Sequence, residues 1–164
     1  MRTIRIKIYS FNELSNESQA VAIDRMRDIN VDFNWWRSVY EDAENIGLKI
    51  TGFDLDKKNE MEGNFILSAN EVMQNIFDNH GQETETFKTC AYYMEIWQPI
   101  FSNYFQTEEG EENLIEIENN FLNELLNDYF EILKNECEYL QTDEAITETI
   151  MANDYEFLAD GTQY

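Results

Sequence analysis

Positive charge is what this sequence has least of. Its 164 residues include 11 Lys and Arg against 34 Asp and Glu, a formal net charge of −23. Nucleic acid and anionic membrane surfaces repel such a chain, so nonspecific binding to either is disfavoured. There is one histidine, His80, which excludes most His-based metal centres and argues against a hydrolase triad. Two cysteines, Cys90 and Cys137, form no CxxC pair, and residues 1–9 carry no signal-peptide apolar core. Together these point to a reducing cytosol. No apolar run approaches the ~18 residues of a membrane span. With 43% hydrophobic and 14% aromatic residues, the chain still has the material for a core, and its length suits a single domain over residues 1–164.

The acid is unevenly placed. Residues 1–58 hold nine basic and ten acidic residues, whereas residues 59–164 hold 24 acidic residues against Lys88 and Lys134. A halophile would be expected to spread its carboxylates over the whole surface, and the near-neutral first part argues against that origin. The sequence therefore divides into a near-neutral scaffold part, 1–58, and a strongly acidic, mostly helical part, 59–164.

Periodicity and capping residues predict an α+β fold. Ile4, Ile6 and Ile8 alternate with Arg5 and Lys7 in a half-buried strand over Thr3–Tyr9. Ser15 caps a helix over 16–29, and Asp32 caps a second one through Ile46, closed by Gly47 in the left-handed conformation. Leu48–Asp56 and Met61–Leu67 read as a hairpin. Ser68 and Glu71 form a capping box opening a third helix that ends at His80-Gly81. An aromatic helix over 84–105 is kinked or split at Pro99. A long acidic helix covers Glu111–Leu140, Thr142 caps a last one to Asn153, and Tyr155–Leu158 can add an edge strand. The expected architecture is a small antiparallel sheet, from the N-terminal strand, the hairpin and the edge strand, packed with about six helices.

Several residue groups invite chemistry and are better explained by structure. Asp54-Leu-Asp56 begins like a calcium loop, but Lys58, Asn59 and Phe65 occupy positions that need an oxygen ligand, glycine and glutamate, so the pattern fails. His80 and Cys90 suggest a dyad that lacks an orienting group; His80 at a helix C-terminus suits the dipole instead. Trp35 and Trp36 resemble a base-stacking platform without the basic groove such platforms need. Trp36, Val39, Tyr40, Ala43 and Ile46 fall at helical spacing, which favours core packing. The helix after Thr84 is apolar on more than one side, through Phe87, Cys90, Met94, Trp97 and Phe101 and again through Tyr93, Ile96 and Ile100. Such a helix lies in the core or holds a subunit interface, and the core is the expected place.

The long helix carries the most informative pattern. Leu114, Ile117, Phe121, Leu125, Tyr129, Ile132 and Leu140 form its expected buried seam. The opposite side presents Glu116, Glu124, Asp128, Glu131 and Glu138, with Asn120 and Asn135 between them. Glu108, Glu109, Glu111 and Glu112 extend the acid at its start. Glu124 and Asp128 are an uncompensated like-charge pair at i,i+4, which costs a few tenths of a kcal/mol. From Glu116 to Glu138 the helix rises about 33 Å at ~1.5 Å per residue, close to the ~34 Å of one turn of B-DNA. A solvated acidic face and a phosphate-like face both fit this pattern.

The phrases Tyr9-Ser-Phe-Asn-Glu-Leu-Ser15, Trp35-Trp36 with Val39–Ala43, Gly47–Ile50 running to Phe53–Asp56, His80-Gly81 with the Glu-Thr repeats, and Glu136–Ala145 resemble a group of small acidic proteins of bacteriophages and mobile elements of gut bacteria. The resemblance spans nearly the whole chain and brings no activity or site residues with it. It implies a phage-type accessory protein in an infected cytoplasm. The leading expectation is a non-enzymatic protein that occupies the nucleic-acid-binding surface of a basic host defence protein by DNA mimicry, in the manner of an anti-CRISPR or antirestriction protein. The nine acids from Glu108 to Glu138 named above would touch the partner. No catalytic residue, cofactor or metal ligand is expected, nor direct contact with nucleic acid or a membrane. A module sequestering a small molecule or a basic host protein, a structural phage protein, and a homo-oligomer stay open.

Overall fold

Polar residues at the expected places set most of the element ends in the computed structural model, which describes residues 5–104 and 107–164. The fold is α+β, with six α-helices and two separate two-stranded antiparallel sheets among the described residues. The chain gathers into two compact units, one formed by Trp36–Lys134 and the other by the described residues up to Trp35 with Asn135–Tyr164. The step in charge after Lys58 falls at a hairpin turn inside the first of these units.

In chain order the helices are α1 Asn16–Arg25, α2 Arg37–Ile46, α3 Ala69–Asn79, α4 Glu85–Tyr104, α5 Glu108–Leu140 and α6 Asp143–Ala152. The strands are β1 Tyr9–Ser10, β2 Leu48–Asp54, β3 Glu60–Phe65 and β4 Glu156–Phe157. Gly47 ends α2 at φ 94°, where its N–H bonds back to the helix, and the chain turns directly into β2. Strands β2 and β3 pair antiparallel from Leu48 opposite Phe65 to Asp54 opposite Glu60, with an irregularity between Ile50 and Gly52. Gly63 is required by close approach: a Cβ there would lie 2.7 Å from the Lys49 carbonyl oxygen and 2.8 Å from Leu126 Cδ2. The Ser68–Glu71 capping box forms as expected and starts α3. The core joins Ala43 and Ile46, Leu48 and Ile50, Val72, Met73 and Ile76, Cys90 and Trp97 with Phe121, Leu125 and Tyr129 of α5. Helix α4 runs through Pro99 as one element, so it is not split there. It lies against this core, although Phe101 remains 42% exposed while stacking on Trp97 at 4.4 Å.

The other unit is built around Phe11, Leu14, Ala22, Met26, Ile146, Ile150 and Phe157. Strand β1 pairs with β4, Tyr9 opposite Phe157 and Ser10 opposite Glu156. The C-terminal edge strand therefore forms, but its partner is the N-terminal strand and not the hairpin. The predicted strand over Thr3–Tyr9 is much shorter than its alternation suggests. Thr3 and Ile4 lie outside the described residues, and Ile6 and Ile8 are 57% and 38% exposed. With only two residues of β4 to pair against, the segment before Tyr9 has no ladder to join. Asn30, a buried polar residue, ties the unit together: its Nδ2 donates to the Leu140 carbonyl at 2.9 Å, and its Oδ1 accepts from Thr149 at 2.7 Å.

Two helix starts moved for local reasons. The backbone after Arg25 spends its N–H groups in tight turns, Val31 to Asp28 and Trp35 to Phe33, so α2 begins at Arg37 and Asp32 caps nothing. Helix α5 begins earlier than Glu111 because Thr107 caps it: Gly110 N–H donates to Thr107 Oγ1 at 3.1 Å. That places Glu108, Glu109 and Glu111 in the first turn, where carboxylates favour the positive end of the helix dipole.

Candidate functional site

Helix α5 distributes its 11 acidic residues and one basic residue, Lys134, around a buried ridge. That ridge is Ile117, Phe121, Leu125, Tyr129 and Leu133, an unbroken i,i+4 row. Such rows slant around the helix axis. The buried side has therefore turned away from Ile132, which is 42% exposed and not part of the seam expected for it. Leu126 and Phe130 join the buried side, and the β3 hairpin approaches this flank through Gly63 and Leu126.

Seven expected partner-binding acids in the Trp36–Lys134 unit are exposed: Glu108, Glu109, Glu111, Glu112, Glu116, Glu124 and Glu131. Glu138, in the other unit, is also exposed. Asp128 is the exception. It was expected on the solvent side, yet it is half-buried, and its Oδ2 is enclosed without a hydrogen bond. Burial pushes its carboxyl above the ordinary aspartate range; Thr89 opposes the shift, while Glu85 and Glu124 add to it. The same slant of the ridge that exposes Ile132 turns Asp128 toward α4. Among the described residues no α5 carboxylate takes part in an ion pair. Glu118 accepts a hydrogen bond from Trp97 Nε1 at 3.2 Å.

A second polar group lies inside the same unit, and sequence spacing did not reveal it. Asp42 on α2, His80 after α3, Thr86 on α4 and Tyr129 on α5 converge although they are far apart in the chain. The Tyr129 hydroxyl donates to Asp42 Oδ2 at 2.8 Å, and His80 Nε2 faces the same oxygen at 3.6 Å. His80 Nδ1 lies 2.7 Å from Thr86 Oγ1. Thr86 Oγ1 in turn lies 3.2 Å from Thr84 Oγ1, and the Thr84 hydroxyl donates to the Gly81 carbonyl at 2.8 Å. A protonated His80 ring would form an ion pair with Asp42. Although a hydroxyl, an imidazole and a carboxylate stand in sequence, Thr86 is 3% exposed. What this arrangement does is join four helices.

The remaining groups have structural partners. Cys90 is buried, donates to the Met73 carbonyl at 3.4 Å, and has its thiol pushed up by burial to about 12, far from a reactive thiolate. Asp54 Oδ1 accepts from the backbone N–H groups of Asp56 and Lys57, which organises the hairpin turn and holds its carboxyl below the usual range. Trp36 packs edge-on against Phe53 at 5.7 Å. No group of three or more metal-ligating side chains that could hold an ion occurs among the described residues, and no described helix is long and apolar enough to cross a membrane. No protein-family model matches the chain, and neither a curated protein nor a solved structure is similar to it.

Proposed function

We propose that the protein is a non-enzymatic inhibitor that occupies the nucleic-acid-binding surface of a basic host protein, its carboxylates standing where phosphates would. One observation carries this reading: the exposed glutamates of α5 have no ion-pair partner among the described residues. Ordinary exposed helices interleave Lys with Glu and so relieve repulsion at i,i+4. From Glu108 to Glu131 the helix rises about 35 Å at ~1.5 Å per residue, comparable to one turn of B-DNA at ~34 Å. An unneutralised row of this length attracts cationic surfaces and accelerates their encounter. Asp128, half-buried, contributes field rather than contact.

The test is capture from bacterial lysate with the full chain as bait, followed by elution with duplex DNA. Nucleic-acid-binding proteins should be retained and then displaced by DNA. The combined variant Glu109→Gln, Glu112→Gln, Glu116→Gln and Glu131→Gln should retain much less of them while remaining folded. Retained proteins that DNA does not displace, or that the variant holds as well as the parent, would remove the mimicry reading.

A further inference from the structure

Beside the acidic row, a shallow groove opens on the surface of the Trp36–Lys134 unit, with a volume of about 390 Å³. It is lined by Lys88, Thr89, Tyr92 and Tyr93 of α4 and by Glu124 of α5. Tyr92 is 59% exposed. The ring of Tyr93 stands perpendicular to it, at 86° and 5.2 Å between centroids. Tyr93 is itself anchored against Phe121 of the core at 5.5 Å. Lys88 is already committed to Glu85 at 2.8 Å, so it does not neutralise Glu124. Thr89, which lines the groove, contacts the half-buried Asp128 carboxyl, whose Oδ2 is enclosed without a hydrogen bond.

We propose that this groove seats an arginine side chain of the basic partner, the guanidinium lying on the Tyr92 ring and reaching the Glu124 carboxylate. Three features select that occupant. An exposed aromatic face attracts a cation. A planar guanidinium stacks on such a face while its edge still donates to a carboxylate, which a compact, strongly hydrated ammonium does less well. Finally, the surrounding charge is complementary, with Glu124 unpaired and the acidic row of α5 continuing away from it. This inference rests on the proposed function for the nature of the partner and adds to it a site that distinguishes arginine from lysine. A carboxylate face alone would favour arginine only through its bidentate hydrogen bonds, a preference that does not depend on Tyr92.

The probes are fluorescein-labelled nona-arginine and nona-lysine peptides, titrated against the full chain at low salt and read by anisotropy. The parent should bind nona-arginine more tightly than nona-lysine. Tyr92→Ala should weaken nona-arginine by about five-fold, the scale of a cation–π contact at a partly exposed site, with little effect on nona-lysine. Tyr92→Phe should keep the arginine preference, because the ring face is retained. Thermal melts of both variants establish that the fold is intact, as expected for so exposed a side chain. Equal affinity of the parent for the two peptides, or equal losses for both in Tyr92→Ala, would overturn the proposal. The two readings fail separately. If Tyr92→Ala has no selective effect while the four-glutamate variant loses DNA-displaced partners, the arginine seat falls and mimicry stands. If arginine selectivity depends on Tyr92 but captured proteins are not displaced by DNA, the seat stands and mimicry falls.

Discussion

Asp128 and Tyr129 are adjacent in the chain and meet opposite fates for polar atoms. The Tyr129 hydroxyl, on a fully buried ring, is satisfied by Asp42 at 2.8 Å, whereas the Asp128 Oδ2 is not satisfied. Asp42 keeps a 54% exposed side chain, so water can replace the lost donor in Tyr129→Phe. The expected cost is about 1 kcal/mol, the typical net worth of a protein hydrogen bond and less than a fully buried charged acceptor would give. A urea midpoint identical to the parent's would show that the bond contributes nothing net. For Asp128 the sign follows from its raised folded-state pKa. The folded state holds the proton more tightly than the unfolded state, so stability falls as pH rises from the ordinary aspartate range through the higher folded value. Asp128→Asn should therefore stabilise the protein slightly at neutral pH, because a neutral amide escapes the burial penalty on the charge and the repulsion from Glu85 and Glu124. The gain should vanish in acid, where both states are protonated. Denaturation of parent and variant across that pH range reads this directly, and a variant less stable at pH 7 would mean the Thr89 contact outweighs the burial.

At the scale of elements, the sharpest constraint is the approach of β3 to α5. A methyl group at position 63 would meet a backbone carbonyl as well as Leu126, and backbone cannot rotate aside as a side chain can. Gly63→Ala should cost about 1–3 kcal/mol, as overpacking typically does, measured by chemical denaturation. An unchanged midpoint would show that the hairpin can shift outward freely. The capping box at α3 offers a milder test of the same unit. Ser68→Ala removes the oxygen that accepts from Glu71 N–H and should cost about 1 kcal/mol. Neither change removes a charge, so neither should alter binding by the folded protein.

For the whole molecule, the net charge of −23 sets opposite responses to salt. Self-repulsion among exposed carboxylates destabilises the folded state, and salt screens it over ~10 Å at 0.1 M. The melting temperature should rise with added NaCl, while affinity for a basic partner should fall. A partner whose affinity is indifferent to salt would argue against recognition through the carboxylates. Acid has its own signature. Glu13, Glu71, Asp54 and Asp160 accept hydrogen bonds that hold their carboxyls below the ordinary range. Their contribution is present above the unfolded-state values and is lost as pH falls through the lower folded ones. Stability should therefore improve slightly on leaving neutral pH, as repulsion is relieved, and then decline steeply once these caps and turns protonate.

Local signals in the chain were enough to determine the element ends that depend on neighbouring residues: Ser15, Ser68 and Thr142 as caps, Gly47 as a left-handed stop, and the hairpin between two alternating runs. Those devices act across three or four residues, so the sequence contains all their parts. The charge imbalance was equally legible, because carboxylates at helical spacing with almost no Lys are visible without coordinates. Tertiary structure decided what depends on contacts distant in the chain. It paired the N-terminal strand with β4 instead of the hairpin, and it followed the i,i+4 ridge to Leu133, exposing Ile132 and enclosing Asp128. It also brought Asp42, His80, Thr86 and Tyr129 together. Helical periodicity identifies an apolar side, but only the packed neighbours fix how far that side rotates along 33 residues, and a few tens of degrees separate a solvated carboxylate from a buried one.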